Sequence, residues 1–166
     1  MSARFGRLPW LWLSLLVFVI DQVSKFYFDN ALTLYQQIVV IPDYFSWTLA
    51  YNTGAAFSFL AGESGWQRWL FALIAIVISV VLVVWLKRLR PDETWLAMAL
   101  ALVLGGALGN LVDRVIFGHV VDFVLVHWQH RWYFPAFNVA DAAITLGAIL
   151  LALDMFKSHK SGETTP

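Results

Sequence analysis

Cysteine is absent from this 166-residue chain. That removes disulfides, thiolate metal sites, cysteine nucleophiles and iron–sulfur clusters together, so any catalysis must use oxygen or imidazole groups. Charge is scarce too: 13% of residues are charged and 60% hydrophobic, against roughly 25% charged in a soluble domain. The chain is not built for water. Eleven basic and eleven acidic residues cancel, so no overall field recruits nucleic acid. No glycine-rich phosphate loop follows a strand and no H-E-x-x-H is present, which leaves no nucleotide site to propose and no strong metal pattern. No internal repeat is found, and the polar tail, about 158–166, is expected to be disordered.

What the chain has in quantity is long apolar runs. Crossing roughly 30 Å of hydrocarbon takes about 20 helical residues, and four stretches qualify: about 8–28, 67–87, 94–116 and 138–156. The expected fold is therefore an all-α polytopic membrane protein with four transmembrane helices. The first run begins like a secretory signal, with Arg4 and Arg7 before it. Asp21-Gln22-Val23-Ser24-Lys25 then follows in place of a small-residue cleavage site, so the segment is expected to be retained as a helix.

Basic residues fix an orientation, because cytoplasmic segments carry the excess of Lys and Arg. Arg4 and Arg7, then Lys87, Arg88 and Arg90, then Lys157 and Lys160 all fall on one side of a four-span chain. Both termini are expected to be cytoplasmic, and the connections at about 29–65 and 117–136 to lie outside. Ile38 to Ile41, a Pro42-Asp43 turn, and Phe45 to Tyr51 are β-branched and aromatic, predicting short strands. A small β-rich extracytoplasmic cradle is expected on the outer leaflet. The second connection is aromatic, with Trp128, Trp132, Tyr133 and Phe134 suited to the interface.

Ionisable groups inside spans cost on the order of 2.5–3.5 kcal/mol each, so they mark function by default. Here they converge. Asp21 and Lys25 fall near the outer end of helix 1, Asn110, Asp113 and Arg114 near that of helix 3, Asn138 and Asp141 at the outer start of helix 4, and Asp122 just before it. Asp154 alone stands apart. Structural explanations compete for most of them. Asp21 and Lys25 form a helix-supporting i, i+4 pair; Gly105 and Gly109 make a G-x-x-x-G packing face. Asp113 and Arg114 could be ion partners, and Asn138 with Asp141 chemically resembles a helix capping box.

Asp122 resists such an explanation, because Val120, Val121, Phe123 and Val124 surround it and no cation adjoins it. Two carboxylates in one partly desolvated site tend to share a proton, one serving as base and the other as acid, which is what activating water against a peptide bond requires. Other chemistries fit less well. Gly62-Glu63-Ser64-Gly65 matches the short G-x-S-G string of rhomboid-type serine proteases, but no histidine lies in a span to act as base. His119, His127 and His130 share the second connection without a strong ligand spacing.

Five ordered blocks now define a resemblance: Asp21-Gln22-Val23-Ser24-Lys25; Tyr51-Asn52-Thr53-Gly54-Ala55-Ala56-Phe57-Ser58; Gly105 to Arg114; Val120-Val121-Asp122-Phe123; and Phe137-Asn138-Val139-Ala140-Asp141. Over nearly its whole length the chain resembles the bacterial lipoprotein signal peptidases, or signal peptidase II. The resemblance implies an intramembrane aspartic protease of the bacterial cytoplasmic (inner) membrane. It would cut the signal peptide of a prolipoprotein just before a diacylglyceryl-modified cysteine, without a metal or other cofactor. It implies catalytic roles for Asp122 and Asp141, and places Asn110, Arg114 and Asn138 around the pair and the substrate backbone. Asn52 and Gly54 would lie in the outer motif over the site, while Asp21, Lys25 and Asp113 would hold the helices and site together. Membrane lipid and the cyclic lipopeptide globomycin are implied partners. The competing reading from the residues is a small proton- or ion-coupled carrier, since intramembrane aspartates also build relays.

Overall fold

The computed structural model describes residues 6–54 and 65–162. A short 3-10 turn, Leu8–Trp10, leads into α1 (Leu11–Ala31); β1 (Gln37–Ile41) and β2 (Phe45–Asn52) follow, then α2 (Trp66–Arg88), α3 (Thr94–Ile116), β3 (Val120–Trp128), β4 (Trp132–Tyr133) and α4 (Val139–Gly162). All four helices are long and apolar enough to cross a membrane. Their exposed faces are aliphatic and aromatic, as in Leu15, Val19, Val77, Val81 and Ile149. That is the inverse of a soluble bundle, and polar and charged side chains such as Ser14, Asp21, Lys25, Asn110 and Asp113 are buried inside, beside leucines and alanines.

The helix on which the others pack is α3: 56% of its apolar window is buried, against 22%, 22% and 17% for α1, α2 and α4. Hydrocarbon gives helices no hydrophobic reason to associate, so close backbone approach has to do it. The run Ala97-Met98-Ala99-Leu100-Ala101 and the glycines at 105, 106 and 109 make that approach possible. A Cβ at Gly105 would lie 2.7 Å from the Ser14 carbonyl oxygen of α1, and one at Gly106 would run into the Ala140 carbonyl of α4. Ser14 fastens the first contact by donating to the Ala101 carbonyl, 2.8 Å away. At the opposite end from the sheet, Leu82, Leu86, Leu89, Ala97, Leu100 and Leu104 form the α2–α3 core. Arg7 there bonds Thr94 at 2.7 Å and reaches the Arg90 carbonyl.

The four strands form one antiparallel sheet in the order β1-β2-β3-β4. β1 and β2 occupy the segments whose composition predicts strands. β3 is a difference: the second connection reads from its aromatic content as an interfacial segment, yet Val120-Val121-Asp122-Phe123-Val124-Leu125-Val126 is a β-branched run that pairs with β2, Ala50 standing opposite Asp122. Phe28 of α1 stacks on Phe123 at 4.4 Å and packs on Trp47 at 4.8 Å, seating the sheet on the helix end. α4 is described as far as Gly162, Lys157 and Lys160 being good helix formers; residues 163–166 of the tail lie outside the described residues.

Replacing Gly106 with Val should push α3 off α4, because the Cβ would meet backbone. We expect a loss of about 1–3 kcal/mol or more, read as a lower thermal unfolding midpoint in detergent. An unchanged midpoint would show that the helices can separate without cost.

Candidate active site

At the sheet end, Lys25 is buried together with Asp21 and Asp113. Its Nζ lies 2.8 Å from Asp21 Oδ2, 2.8 Å from Asp113 Oδ2 and 2.9 Å from Asn110 Oδ1, so all three ammonium protons have an acceptor. The i, i+4 pairing of Asp21 with Lys25 is present. The pairing of Asp113 with Arg114 is not: neighbours in a helix point about 100° apart, and Asp113 turns to α1 while Arg114 turns away. Gln22, which sequence reasoning passed over, donates to Asp113 Oδ1 at 2.9 Å and reaches Asp21 at 3.2 Å. Its only signal was its place inside the first block.

Each carboxylate of this cluster also accepts a backbone N–H from another element. Asp113 Oδ2 takes that of Val121 at 3.3 Å and Asp21 Oδ1 that of Ala140 at 2.8 Å. Val121 precedes Asp122 on β3, and Ala140 precedes Asp141 in the first turn of α4. Asp122 and Asp141, neither of which forms a salt bridge among the described residues, are thus brought to one place from two elements. Each is held by an asparagine whose own orientation is fixed. The Asn138 side-chain oxygen, Oδ1, accepts the Asp141 N–H at 2.9 Å, capping α4, and its amide Nδ2 donates to Asp122 Oδ1 at 2.7 Å. The Asn110 oxygen is taken by Lys25, and its amide donates to Asp141 Oδ1 at 2.7 Å. Only half of a capping box is therefore made: the cap serves Asp141, whose carboxylate turns to α3.

Asn52 at the end of β2 lies 3.3 Å from Asp122 Oδ2 through its amide, and its oxygen accepts the Gly54 N–H at 3.0 Å. Arg114 donates to the Gly54 carbonyl at 3.0 Å and to the Asn110 carbonyl at 3.1 Å, with the ring of Phe71 from α2 5.4 Å from its guanidinium carbon. Phe71 is another residue that sequence alone does not single out, since one aromatic in an apolar span carries no signal. A cavity of ≈ 580 Å³ opens over Asn52, Asn110, Arg114 and Asp141 and continues along apolar Phe134, Ile144 and Ile149. Asp141 is half-buried in its wall; Asp122, 2% exposed, is not part of the wall.

Residues 55–58 of the second block and 62–64 of the G-x-S-G string lie outside the described residues. Of the histidines weighed for a metal, His119 packs on Tyr51, while His127 and His130 stack on each other at 4.5 Å. Among the described residues no three His, Cys, Asp or Glu side chains surround a common point.

Burial pushes the Asp122 carboxyl up to about 7, the nearby Asp141 charge adding to it, against the opposing pull of Asn52, Asn138 and Lys25. A carboxyl that holds its proton more tightly folded than unfolded contributes stability at low pH and loses it as pH rises towards 7. Asp122→Asn should therefore raise the thermal midpoint relative to wild type more at pH 8 than at pH 5. Equal shifts at both values would rule out a buried, proton-holding Asp122.

Carboxylates left without a cation in a membrane protein are retained for chemistry or for transport, and relatives of known kind distinguish the two. Two bacterial membrane enzymes solved by the in meso method share the fold: one has a TM-score of 0.83 at 29% identity, covering 100% of this chain and 98% of its own, the other 0.76 at 29%, covering 95% and 99%. The molecule is a membrane enzyme. Residues 13–157 match the family model of signal peptidase (SPase) II, and the lipoprotein signal peptidase of Pseudomonas syringae pv. tomato is 80% identical over 163 residues, 98% of this chain and 94% of that one. That of Pseudomonas aeruginosa is 79% identical over 160 residues, covering 96% and 95%. The chain belongs to the signal peptidase II family, and its activity is that of a lipoprotein signal peptidase, a membrane protease. The carrier alternative receives no support from these relatives.

Proposed function

We propose that the chain is an aspartic endopeptidase that cuts a diacylglyceryl-modified prolipoprotein just before its lipidated cysteine, with Asp122 and Asp141 as the catalytic pair. The observation that carries this reading is the pair of carboxylates that form no salt bridge among the described residues, each gripped by a pre-oriented asparagine amide, beside a cavity that is polar at one end and apolar along its length. The polar end suits a peptide bond. The apolar walls suit a lipid chain or a hydrophobic signal segment arriving from the bilayer.

In this mechanism Asp122, raised to about 7, enters protonated, and Asp141 takes a proton from water as its oxygen attacks the scissile carbonyl carbon. The Asp122 proton passes to the carbonyl oxygen, giving a neutral gem-diol. As the C–N bond breaks, Asp141 gives its proton to the departing amine, and the diol returns one to Asp122. Of Asn138 and Arg114 as donors for the developing negative oxygen, Asn138 is committed to Asp122 and fully buried, whereas Arg114 lines the cavity and its buried Nε has no partner among the described residues. Arg114 is the better oxyanion donor. Asn52 and Gly54 join the outer loop to this arrangement, and globomycin would compete for the same cavity.

The test is cleavage of a diacylglyceryl-modified prolipoprotein by purified protein in detergent. Asp122→Asn and Asp141→Asn should each lower kcat by about 10³-fold or more, and a chelator should leave the wild type unchanged. Wild-type turnover by either folded variant would move the chemistry elsewhere.

The same reading places the sheet and site at the outer leaflet of the bacterial cytoplasmic membrane, with both termini inside. Its support is the basic set Arg7, Lys87, Arg88 and Arg90 gathered at the end opposite the sheet. Because the chain has no cysteine, single replacements report cleanly. An impermeant maleimide applied to intact spheroplasts should label Leu34→Cys and leave Asp92→Cys unlabelled. The opposite pattern would invert the molecule.

A further inference from the structure

We propose that Lys25 is a positioning residue for the hydrolysis, setting the place and orientation of both catalytic carboxylates through the three acceptors of its ammonium group. This rests on the reading of Asp122 and Asp141 as the catalytic pair. The three contacts are not interchangeable helix ties, because each acceptor passes on to a different point of the site. Asp113 carries the link to the Val121 N–H, one residue before Asp122. Asp21 carries it to the Ala140 N–H, one residue before Asp141. Asn110 carries it to the Asp141 carboxylate itself.

The third link has a direction. An asparagine side chain presents an oxygen that accepts and a nitrogen that donates, and rotation by half a turn exchanges them. An ammonium can only donate, so with Lys25 at 2.9 Å the oxygen of Asn110 must face α1 and its N–H must face Asp141. Without Lys25 only the longer contact from the Asn138 amide, at 3.3 Å, would oppose the flip, and the flipped amide would set an oxygen against the Asp141 carboxylate. Lys25 never reaches the cavity: it is 4% exposed and does not form part of the cavity wall. Its effect on the reaction is exerted through Asn110, Asp21 and Asp113.

A purely structural ion cluster and a positioning one both cost stability when broken, since removing a cation strands two buried carboxylates. They differ in catalysis. We would measure kcat, KM and the pH profile of kcat/KM for diacylglyceryl-prolipoprotein cleavage in detergent, beside the thermal midpoint. Lys25→Met should lower kcat on the order of 10²-fold, the scale of a small misplacement of reacting groups, with KM within about twofold of wild type. The acid limb of its profile should move to higher pH, because the ionised pair loses an aligned N–H donor and a nearby cation.

The variant Lys25→Met/Asp21→Asn/Asp113→Asn removes all three charges while leaving an oxygen for each backbone N–H. It should recover the thermal midpoint and keep the low kcat. Recovery of kcat with the midpoint would overturn the proposal and leave Lys25 a helix tie. In Lys25→Met/Asn110→Ala the kcat loss should be far smaller than the product of the two single losses, and full multiplicativity would count against transmission through Asn110. Should the Lys25 variants fail to fold, Asn110→Ala keeps the ion cluster whole, and wild-type kcat in it would overturn the proposal. Asp122→Asn and Asp141→Asn run alongside: activity in either would sink the catalytic pair itself, whereas their inactivity beside a wild-type-like, folded Lys25→Met would sink the positioning role alone.

Discussion

An ammonium group withdrawn from water has three protons to place, and at membrane depth it can place them only on the protein. Lys25 meets this demand with two carboxylates and one amide oxygen, all within 2.9 Å and drawn from α1 and α3. That single requirement fixes how the two helices lie. Asp21 must come against α3 to reach its partners, and the place where it does so is Gly109, where a Cβ would collide with the Asp21 carboxylate. The glycine is therefore a consequence of the buried charge. The carboxylates gathered around the lysine then have oxygens to spare, and they spend them on the backbone of β3 and α4. The sheet and the last helix are attached to the bundle by hydrogen bonds from the same ion cluster.

The helix packing completes the site by what it leaves open. α3 serves as the common neighbour of α1, α2 and α4, its small residues letting Ser14, Ala140 and the α4 backbone come close. α1 and α4 also touch each other, whereas α2 packs chiefly on α3. A central helix flanked in this way leaves a cleft along its free side, walled by α4 and the strand connection and continuous with the apolar faces of the helices. A membrane protease needs such a cleft, because its substrate and its water approach from different phases. The polar end of the cleft meets Arg114, which is held by the loop carbonyl of Gly54 and the α3 carbonyl of Asn110 and is overlain by Phe71 from α2. One side chain thus ties three parts of the chain together at the polar end of the cleft.

Hydropathy made the four spans readable, since a run of about 20 apolar residues has few other uses, and the same reading brought four aspartates to one depth. Which of them are partners was not readable. Asp113 stands next to Arg114 in sequence but pairs with Lys25, 88 positions earlier, because helix geometry aims adjacent side chains apart. Asn138 and Asp141 have the spacing of a capping box, yet only the cap forms, since Asn110 of α3 offers the Asp141 carboxylate a better donor. β3 was missed although its β-branched run was visible; the aromatic residues beside it suggested an interface, and its pairing with β2 across some 70 residues is a tertiary fact. Gln22 and Phe71 carry no pattern of their own, and their roles exist only once α1, α2 and α3 are assembled.

The two carboxylates of the proposed pair are made unequal by the elements that carry them. Asp122 lies on a strand at the centre of the sheet, between apolar neighbours and 2% exposed, so water cannot help it hold a charge. Asp141 stands in the first turn of a helix, at the wall of the cavity, where substrate and water would arrive. Had both been on helices facing one cleft, neither would have been the natural holder of a shared proton, and each turnover would begin by choosing. Placing one on a covered strand and the other on an open helix end makes that choice in the folding of the chain. The asparagines reinforce it, because each is oriented from behind, Asn138 by the helix cap and Asn110 by the buried ammonium, and each presents an N–H that cannot turn away from its carboxylate without breaking a bond to the scaffold. In the proposed mechanism the acid and the base are therefore distinguished before any substrate is bound.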